Sequence, residues 1–159
     1  TMKEGENQFV DELAGVLEQR GFKVRKRSRV YAWKESKRLP GILGYEPILR
    51  PEVDLIVRAG DLLNAIEVKH LDANKHSFGP FFHGVGQALS LLEFGFDHVG
   101  LWIVFTSSHA SKIDQYGAWT WSHIRNMLGL PIEFSFLTRK LGNGSLTYEV
   151  RQYKSVSFR

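Results

Sequence analysis

Two carboxylates and an ammonium group fall close together in two short apolar runs near the middle of the chain. Asp54 interrupts the apolar run 53–57, and thirteen residues later Glu67 and Lys69 occupy a second run. Residues 58–61 form a Gly-containing turn signal between the runs, so the pattern predicts a β-hairpin. The hairpin would bring Asp54 and Glu67 together across neighbouring strands, and Lys69 would share the face of Glu67. Two carboxylates beside an ammonium group suit a hard cation bound through oxygen.

The same residues also have an ordinary structural interpretation. Residues 66–69 alternate apolar and polar side chains, as any half-exposed strand does. Asp54 favours the functional interpretation, because strands are depleted in Asp and an Asp within an apolar run needs a partner or a metal. Glu52 lies two residues earlier on the same strand face and is a second candidate ligand.

The Asp54 and Glu67-Val68-Lys69 pattern resembles the PD-(D/E)XK nuclease superfamily, which has the restriction-endonuclease-like fold. The resemblance is greatest to archaeal Holliday junction resolvases and Mrr-like nucleases, and it covers roughly residues 5–105. The Pro-Asp pair of the superfamily name is not adjacent here, because Pro51 is followed by Glu52. Asp54 matches the motif by its apolar flanks and by its distance to Glu67.

The resemblance implies a Mg²⁺- or Mn²⁺-dependent DNA endonuclease that leaves a 3′-hydroxyl and a 5′-phosphate. Asp54, Glu67 and the Val68 carbonyl would hold the metal. Lys69 would orient or deprotonate the attacking water and stabilise the developing negative charge. One small domain leaves little room for a separate sequence-reading module. Structure-selective cutting of Holliday junctions or other branched DNA is therefore expected, or loosely specific cutting.

Two further site residues are implied by the same resemblance. A Glu of the first helix often completes such a metal site, but alignment on Gly21 places that position at Val10. Glu6, one turn earlier, could reach the same face; it could equally be a first-turn acid that complements the helix dipole. Gln87 is expected to touch the scissile phosphate or the attacking water, with a solvated surface Gln as the alternative.

Charge along the chain indicates a polyanionic partner. The formal net charge is +4, and residues 41–100 hold four Lys or Arg against eight Asp or Glu, whereas both flanking segments are basic. Basic flanks around an acidic centre suit DNA whose phosphates meet a metal-loaded site. Between Arg20 and Arg38 there are nine basic residues and one acid. The candidate DNA-binding residues are Arg25, Lys26, Arg27, Arg29, Lys34, Lys37 and Arg38.

Composition excludes several other classes. The 159 residues suit a single nuclease domain, residues 1–159. There is no Cys, so thiolate zinc sites and Cys nucleophiles are absent. The six His residues show no zinc-site spacing, and no P-loop is present. No apolar run has the length of a membrane span and no signal peptide is visible, so we expect a cytoplasmic protein without membrane partners.

Hydrophobic periodicity and turn residues predict an α/β protein. The central β-sheet is expected to be mixed and flanked by helices, with an α-β-β-β-α-β core plus a C-terminal helix and hairpin. The predicted elements are a helix at 4–20, strands at 22–33, 53–57 and 62–69, a helix at 81–94, a strand at 99–105, a helix from Ser107 or Ser108 to about Leu128, and a hairpin of 132–139 with 145–153. Residues 34–51 and 71–80 are predicted loops.

The proposed chemistry and the composition of the C-terminal third predict an assembly of two copies. Cutting two strands needs two sites, and the C-terminal third is rich in aromatic residues, so a homodimer is expected.

Two alternative functions remain open. In the first, the chain is a catalytically inactive nucleic-acid-binding module on the same fold. The intact Asp54, Glu67 and Lys69 argue against that alternative. An RNA-processing nuclease is the second alternative, and the metal-site pattern favours DNA.

Overall fold

The computed structural model describes residues 2–29, 51–75, 78–107, 109–124 and 129–151. The elements in chain order are α1 (Met2–Gln19), β1 (Lys23–Arg29), β2 (Glu52–Ala59), β3 (Leu62–Asp72), α2 (Gly79–Leu91) with a 3₁₀ turn (Leu92–Phe94), β4 (His98–Thr106), α3 (Ala110–Ile124), β5 (Glu133–Gly142) and β6 (Ser145–Arg151). This order confirms the predicted sequence of helices and strands.

The strands form one six-stranded sheet in the order β1-β2-β3-β4-β5-β6. The pairs β1–β2, β2–β3 and β5–β6 are antiparallel, whereas β3–β4 and β4–β5 are parallel. Each parallel pair is joined through a helix, as a crossover connection requires. β4 is central and apolar, which fits its burial on both faces. The predicted α/β class with a mixed central sheet is therefore confirmed.

Helices cover both faces of the sheet. On one face, Phe9, Val10 and Leu13 of α1 pack against buried side chains of β2, β3 and β4. On the other face, α2 and α3 cover a second buried cluster that includes Phe81, Leu101 and Phe105. The strands that carry Asp54 and Glu67 thus lie between two apolar layers, in surroundings where a charged group is costly without a partner.

A hydrogen-bond network around Glu12 attaches α1 to the neighbouring strands β5 and β6 at one edge of the sheet. The Glu12 carboxylate accepts hydrogen bonds from Arg139 Nε and Nη2, at 2.7 and 2.8 Å, and from the Tyr148 hydroxyl at 2.6 Å. The Arg139 bonds outweigh the effect of burial and lower the pKa of Glu12 to about 2. Charge-assisted bonds of this kind are among the stronger polar contacts. They help to set the position of α1 on the sheet, and with it the position of Glu6.

The turn between β2 and β3 lies within the predicted segment 58–61 and is shorter than that segment. Only Gly60 and Asp61 separate the strands, and Gly60 has a φ of 59°. Glycine is favoured there because a positive φ at the first turn position is required by the type II′ hairpin turn. The short turn fixes the register of the ladder, and the continuation of that register beyond Leu55 and Ile66 places Asp54 opposite Glu67.

Several predicted boundaries differ from the structure. β3 continues to Asp72 and α2 begins at Gly79, so the predicted loop 71–80 is shorter than expected, and Pro80 lies in the first turn of the helix. Of the two positions that helical spacing allows for Trp119, the core or an interface, its side chain is not in the core, because it is 48% exposed. Helical spacing does not identify which helix face the sheet covers. Residues 30–50, 125–128 and 152–159 lie outside the described residues, and so do most of the predicted loop 34–51 and the end of the predicted helix at Leu128.

Among the helices described, none is both long enough and apolar enough to cross a membrane.

Candidate active site

β2 and β3 separate at the residues singled out by the sequence. Their ladder runs from the pair Ala59 and Leu62 to the pair Leu55 and Ile66, and it ends there. At the next position, Asp54 Oδ2 accepts a hydrogen bond from the backbone N–H of Val68 at 2.8 Å. A side-chain oxygen has thus taken the place of a ladder carbonyl, and the two strands diverge around the Asp54 side chain.

Glu67 is almost fully buried beside Asp54. Only 2% of the residue is exposed, and its carboxyl group shares a hydrogen bond with that of Asp54. Burial, followed by repulsion from the Asp54 charge and by their hydrogen bond, raises the pKa of Glu67 to about 9. Two buried carboxyl groups in hydrogen-bond contact cannot both ionise without a compensating positive charge. A proton fills that role near neutral pH, and a bound cation could replace it.

Lys69 lies on the same sheet face as Glu67, as predicted. It is buried, and its Nζ lies 3.6 Å from Glu6 Oε2. Gly84 of α2 packs directly on it: a Cβ at Gly84 would lie 2.6 Å from Lys69 Cγ and 2.8 Å from Leu101 Cδ1. The absence of a side chain at this position therefore lets α2 lie over the aliphatic stem of Lys69. Its ammonium group remains beside the carboxylates.

A cavity of about 730 Å³ opens over these groups. It lies between the start of α1, the β1–β2 edge, the last part of β3 and the first turns of α2. Four of the five residues predicted to be catalytic line it: Glu6, Asp54, Lys69 and Gln87. The fifth, Glu67, is hydrogen-bonded to Asp54 at the cavity wall. Glu52, the second candidate ligand, also lines the cavity but is exposed.

Gln87 contributes an unsatisfied acceptor to the cavity. Its Oε1 is buried and has no hydrogen-bond partner among the described residues. Buried amide oxygens are nearly always hydrogen-bonded, so an orphaned one indicates a missing water, ion or ligand. This favours the site interpretation of Gln87 over a solvated surface Gln.

The cavity is also lined by ionisable residues that were not predicted to belong to the site. His70, Asp72, Lys75 and His83 line it. His70 Nε2 lies 2.5 Å from Thr106 Oγ1, and burial lowers the pKa of its imidazole. The sequence contained a signal for His70 and Asp72, because the strand pattern of β3 continues past Lys69 with polar residues. Lys75 follows the strand and His83 lies on α2, so only the fold brings them near.

The basic residues predicted to bind DNA do not share one environment. Arg25 and Arg29 are exposed on β1. Lys26 Nζ and Arg27 Nη2 both bind Asp11 Oδ1, at 3.0 and 2.8 Å. Arg27 also lines the cavity. The other predicted members, Lys34, Lys37 and Arg38, lie outside the described residues.

The donor set fits a hard cation that shares its coordination sphere with water and substrate. In the described part of the chain, no group of three or more His, Cys, Asp and Glu side chains is arranged to hold a metal ion. Mg²⁺ is often held by one or two carboxylates, with waters and phosphate oxygens completing the octahedron. Asp54 and Glu67 supply two carboxylates, and Gln87 Oε1 is an unused oxygen at the same cavity. The N–H and C=O of one strand residue point to the same side, so the Val68 carbonyl also faces the gap beside Asp54.

Comparisons with known proteins give one distant structural match. No known protein family matches the chain, and no curated protein matches it in sequence. Among solved structures, the chain is similar to Pyrococcus furiosus SfsA in complex with Ca²⁺, with a TM-score of 0.42 and 9% sequence identity. The match covers 94% of this chain and 61% of that chain, so this chain spans about three-fifths of the SfsA length.

The raised pKa of Glu67 predicts a pH-dependent stability of the metal-free protein. A carboxyl group whose pKa is higher in the folded state stabilises the fold at low pH. That stability is lost as the pH rises from the unfolded value, 4.5, through about 9. Each unit of the shift corresponds to about 1.4 kcal/mol. Because Gln does not ionise, Glu67→Gln should remove this loss.

Melting temperatures measured in chelator between pH 5 and pH 9 would show the difference. The wild-type value should fall relative to Glu67→Gln across this range. The matched control is Glu18→Gln, which alters an exposed carboxylate of α1 and should follow the wild type. Parallel curves for wild type and Glu67→Gln would contradict a protonated, buried Glu67.

Proposed function

We propose that the protein is a metal-dependent endonuclease that hydrolyses phosphodiester bonds in DNA. The observation that supports this most directly is the hydrogen-bonded pair Asp54 and Glu67, with Lys69 beside it in one cavity. Structural ion pairs can also perturb a pKa. Here, however, the carboxyl pair lies beside a buried ammonium group and an unsatisfied amide oxygen at one cavity, a combination typical of functional sites.

The chain's own groups suggest a division of roles. A Mg²⁺ or Mn²⁺ ion at the carboxylate pair would polarise the phosphoryl oxygen and lower the pKa of a bound water. Asp54 and Glu67 would hold the cation, and the hydrogen bond from the Val68 N–H fixes the position of the Asp54 carboxylate. Lys69 orients the attacking water and stabilises the negative charge that develops on the phosphate. Glu6 positions the Lys69 ammonium group, and Gln87 offers a hydrogen bond to the water or the phosphate.

The proposed substrate is DNA with a branch or junction, cut to leave a 3′-hydroxyl and a 5′-phosphate. The resemblance to Holliday junction resolvases supports structure-selective cutting, and the exposed arginines of β1 offer phosphate contacts near the cavity. Such a substrate would place the enzyme inside the cell, in the cytoplasm.

The proposed working unit is a homodimer, because paired cuts need two sites. Exposed aromatic surface on α3, such as Trp119, is of the type found at interfaces. Light scattering at micromolar protein concentration, with and without DNA, would detect the dimer. A monomer under both conditions would make a nicking enzyme the better proposal.

Removal of either carboxylate should abolish cutting. Asp54→Asn and Glu67→Gln should each lower Mg²⁺-dependent cleavage by more than about 100-fold, since even residues that merely orient a metal ligand contribute 10–100-fold. DNA binding should persist or improve, because repulsion between the site and phosphate falls. The measurement is a cleavage panel on linear, single-stranded, branched and four-way DNA and on RNA, with Mg²⁺ or with chelator.

The control and the outcomes of the panel separate the alternatives. Glu18→Gln should cut like the wild type. DNA binding without cleavage of any substrate would indicate an inactive binding module, and cleavage confined to RNA would indicate an RNA-processing nuclease.

The exposed arginines of β1 should contribute to binding through phosphate charge alone. Replacing Arg25 and Arg29 by Gln should weaken DNA binding and flatten the dependence of log K on log salt by about one unit per lost contact. Fluorescence anisotropy over a salt series measures this slope. Lys140→Gln, on β5, removes one exposed charge and serves as the control. An unchanged slope in the double variant would mean that the two arginines only solvate the strand.

A further inference from the structure

Arg27 adopts a backbone conformation that is unusual for its type. Its φ is 45°, in the left-handed region, although it lies within β1. For a residue with a Cβ this conformation is sterically unfavourable. The β1–β2 pairing is regular at Lys26 and at Ser28 but skips Arg27, which stands opposite Asp54. Strain of this kind persists where the surroundings impose it, and it clusters at functional sites.

The left-handed conformation turns the Arg27 side chain towards α1. Consecutive residues of a regular strand point to opposite faces. Lys26 and Arg27 nevertheless both reach the same oxygen, Asp11 Oδ1, at 3.0 and 2.8 Å. The kink at Arg27 therefore takes its guanidinium group out of the normal alternation and places it at the cavity, held by Asp11 from α1.

The guanidinium group at the cavity is only partly satisfied. Nη2 binds Asp11, but Nη1 is buried and has no hydrogen-bond partner among the described residues. The carboxylates of Glu52 and Asp54 line the same cavity, but neither accepts a hydrogen bond from Nη1. Asp11 is shared between two cations, Lys26 and Arg27, so it satisfies only one edge of the guanidinium group. A buried guanidinium donor without an acceptor is costly, which implies an acceptor in the working state.

We infer that Arg27 is the anion-binding residue of the cavity and donates from Nη1 to a phosphate oxygen. Asp11 is a positioning residue, because it holds the other edge of the guanidinium group and leaves Nη1 free. That the phosphate belongs to a DNA phosphodiester rests on the proposed function; a free phosphate or a nucleotide would offer the same oxygen. A phosphate in this place lies between the guanidinium group and the carboxylate pair, with its negative charge close to both Arg27 and the proposed cation.

The first experiment tests the anion site alone. Inorganic phosphate is titrated in chelator against wild type, Arg27→Asn, Arg27→Lys and the control Lys140→Gln, and the melting temperature is recorded. Asn tolerates the left-handed region, so Arg27→Asn removes the guanidinium group while keeping the backbone. Phosphate should stabilise wild type and Lys140→Gln equally. The phosphate dissociation constant should rise about tenfold or more in Arg27→Asn, as expected for loss of a hydrogen bond to a charged group.

Arg27→Lys keeps the charge but lacks the planar fork, so its ammonium group cannot serve Asp11 and phosphate with the same geometry. It should show a phosphate affinity between those of wild type and Arg27→Asn, and it carries the test if Arg27→Asn does not fold. Phosphate that stabilises no protein, or that stabilises all four equally, overturns the inference.

The second experiment identifies the source of the phosphate. DNA cleavage kinetics in Mg²⁺ should show a KM about tenfold higher for Arg27→Asn with little change in kcat, because the contact exists before and during the reaction. Cleavage with an unchanged KM overturns the role of Arg27 and leaves the nuclease proposal standing. Lack of DNA cleavage by the wild type, with phosphate affinity still dependent on Arg27, supports the anion site and overturns the nuclease proposal.

Discussion

The hydrogen bond from the Val68 N–H to Asp54 is the contact on which the rest of the site depends. It ends the β2–β3 ladder by replacing a carbonyl of the neighbouring strand with a side-chain oxygen. An Asp within an apolar strand is otherwise unfavourable. Here it satisfies a backbone donor that would have lost its partner where the strands diverge. The same divergence opens the gap in which Asp54 meets Glu67.

The buried charged groups of the site are stable in the folded protein only because they lie next to one another. Glu67 and Lys69 are both buried, next to apolar side chains on either side of the sheet. A buried carboxylate or ammonium group alone would be strongly unfavourable, whereas carboxyl groups that share a proton or a cation beside an ammonium group are much less so. Gly84 completes this arrangement, because any larger residue would push α2 away from the Lys69 stem. The electrostatics of the site therefore depend on backbone packing as much as on the charges.

Helix α1 connects three parts of the molecule that the sequence keeps far apart. Glu6 pairs with Lys69 at the cavity, Asp11 holds Arg27, and Glu12 binds Arg139 and Tyr148 on β5 and β6. The apolar face of the helix supplies most of its attachment, and these polar contacts set its position along the sheet. A shift of α1 by one turn would remove all three polar contacts. The helix is thus both a part of the core and the element that orients the basic groups of the site.

The sequence by itself determined the class of fold and the centre of the site. Period-two and helical patterns, with Gly60 in the turn, were enough to predict the order of elements and to set Asp54 opposite Glu67, because hairpin register follows from local turn geometry. The same alternation put Lys69 on the same strand face as Glu67.

Tertiary structure alone decided which groups surround Asp54 and Glu67. Glu6 reaches Lys69, and His83 and Gln87 reach the cavity, only because helices pack across the sheet at distances that no local period encodes. The left-handed turn at Arg27 and the exposure of Trp119 likewise depend on which neighbours each element meets. Local sequence fixes the dihedral preferences of each residue and the face of the strand or helix on which its side chain lies. Long-range packing decides which side chains are buried, which charges pair and what shape the cavity has.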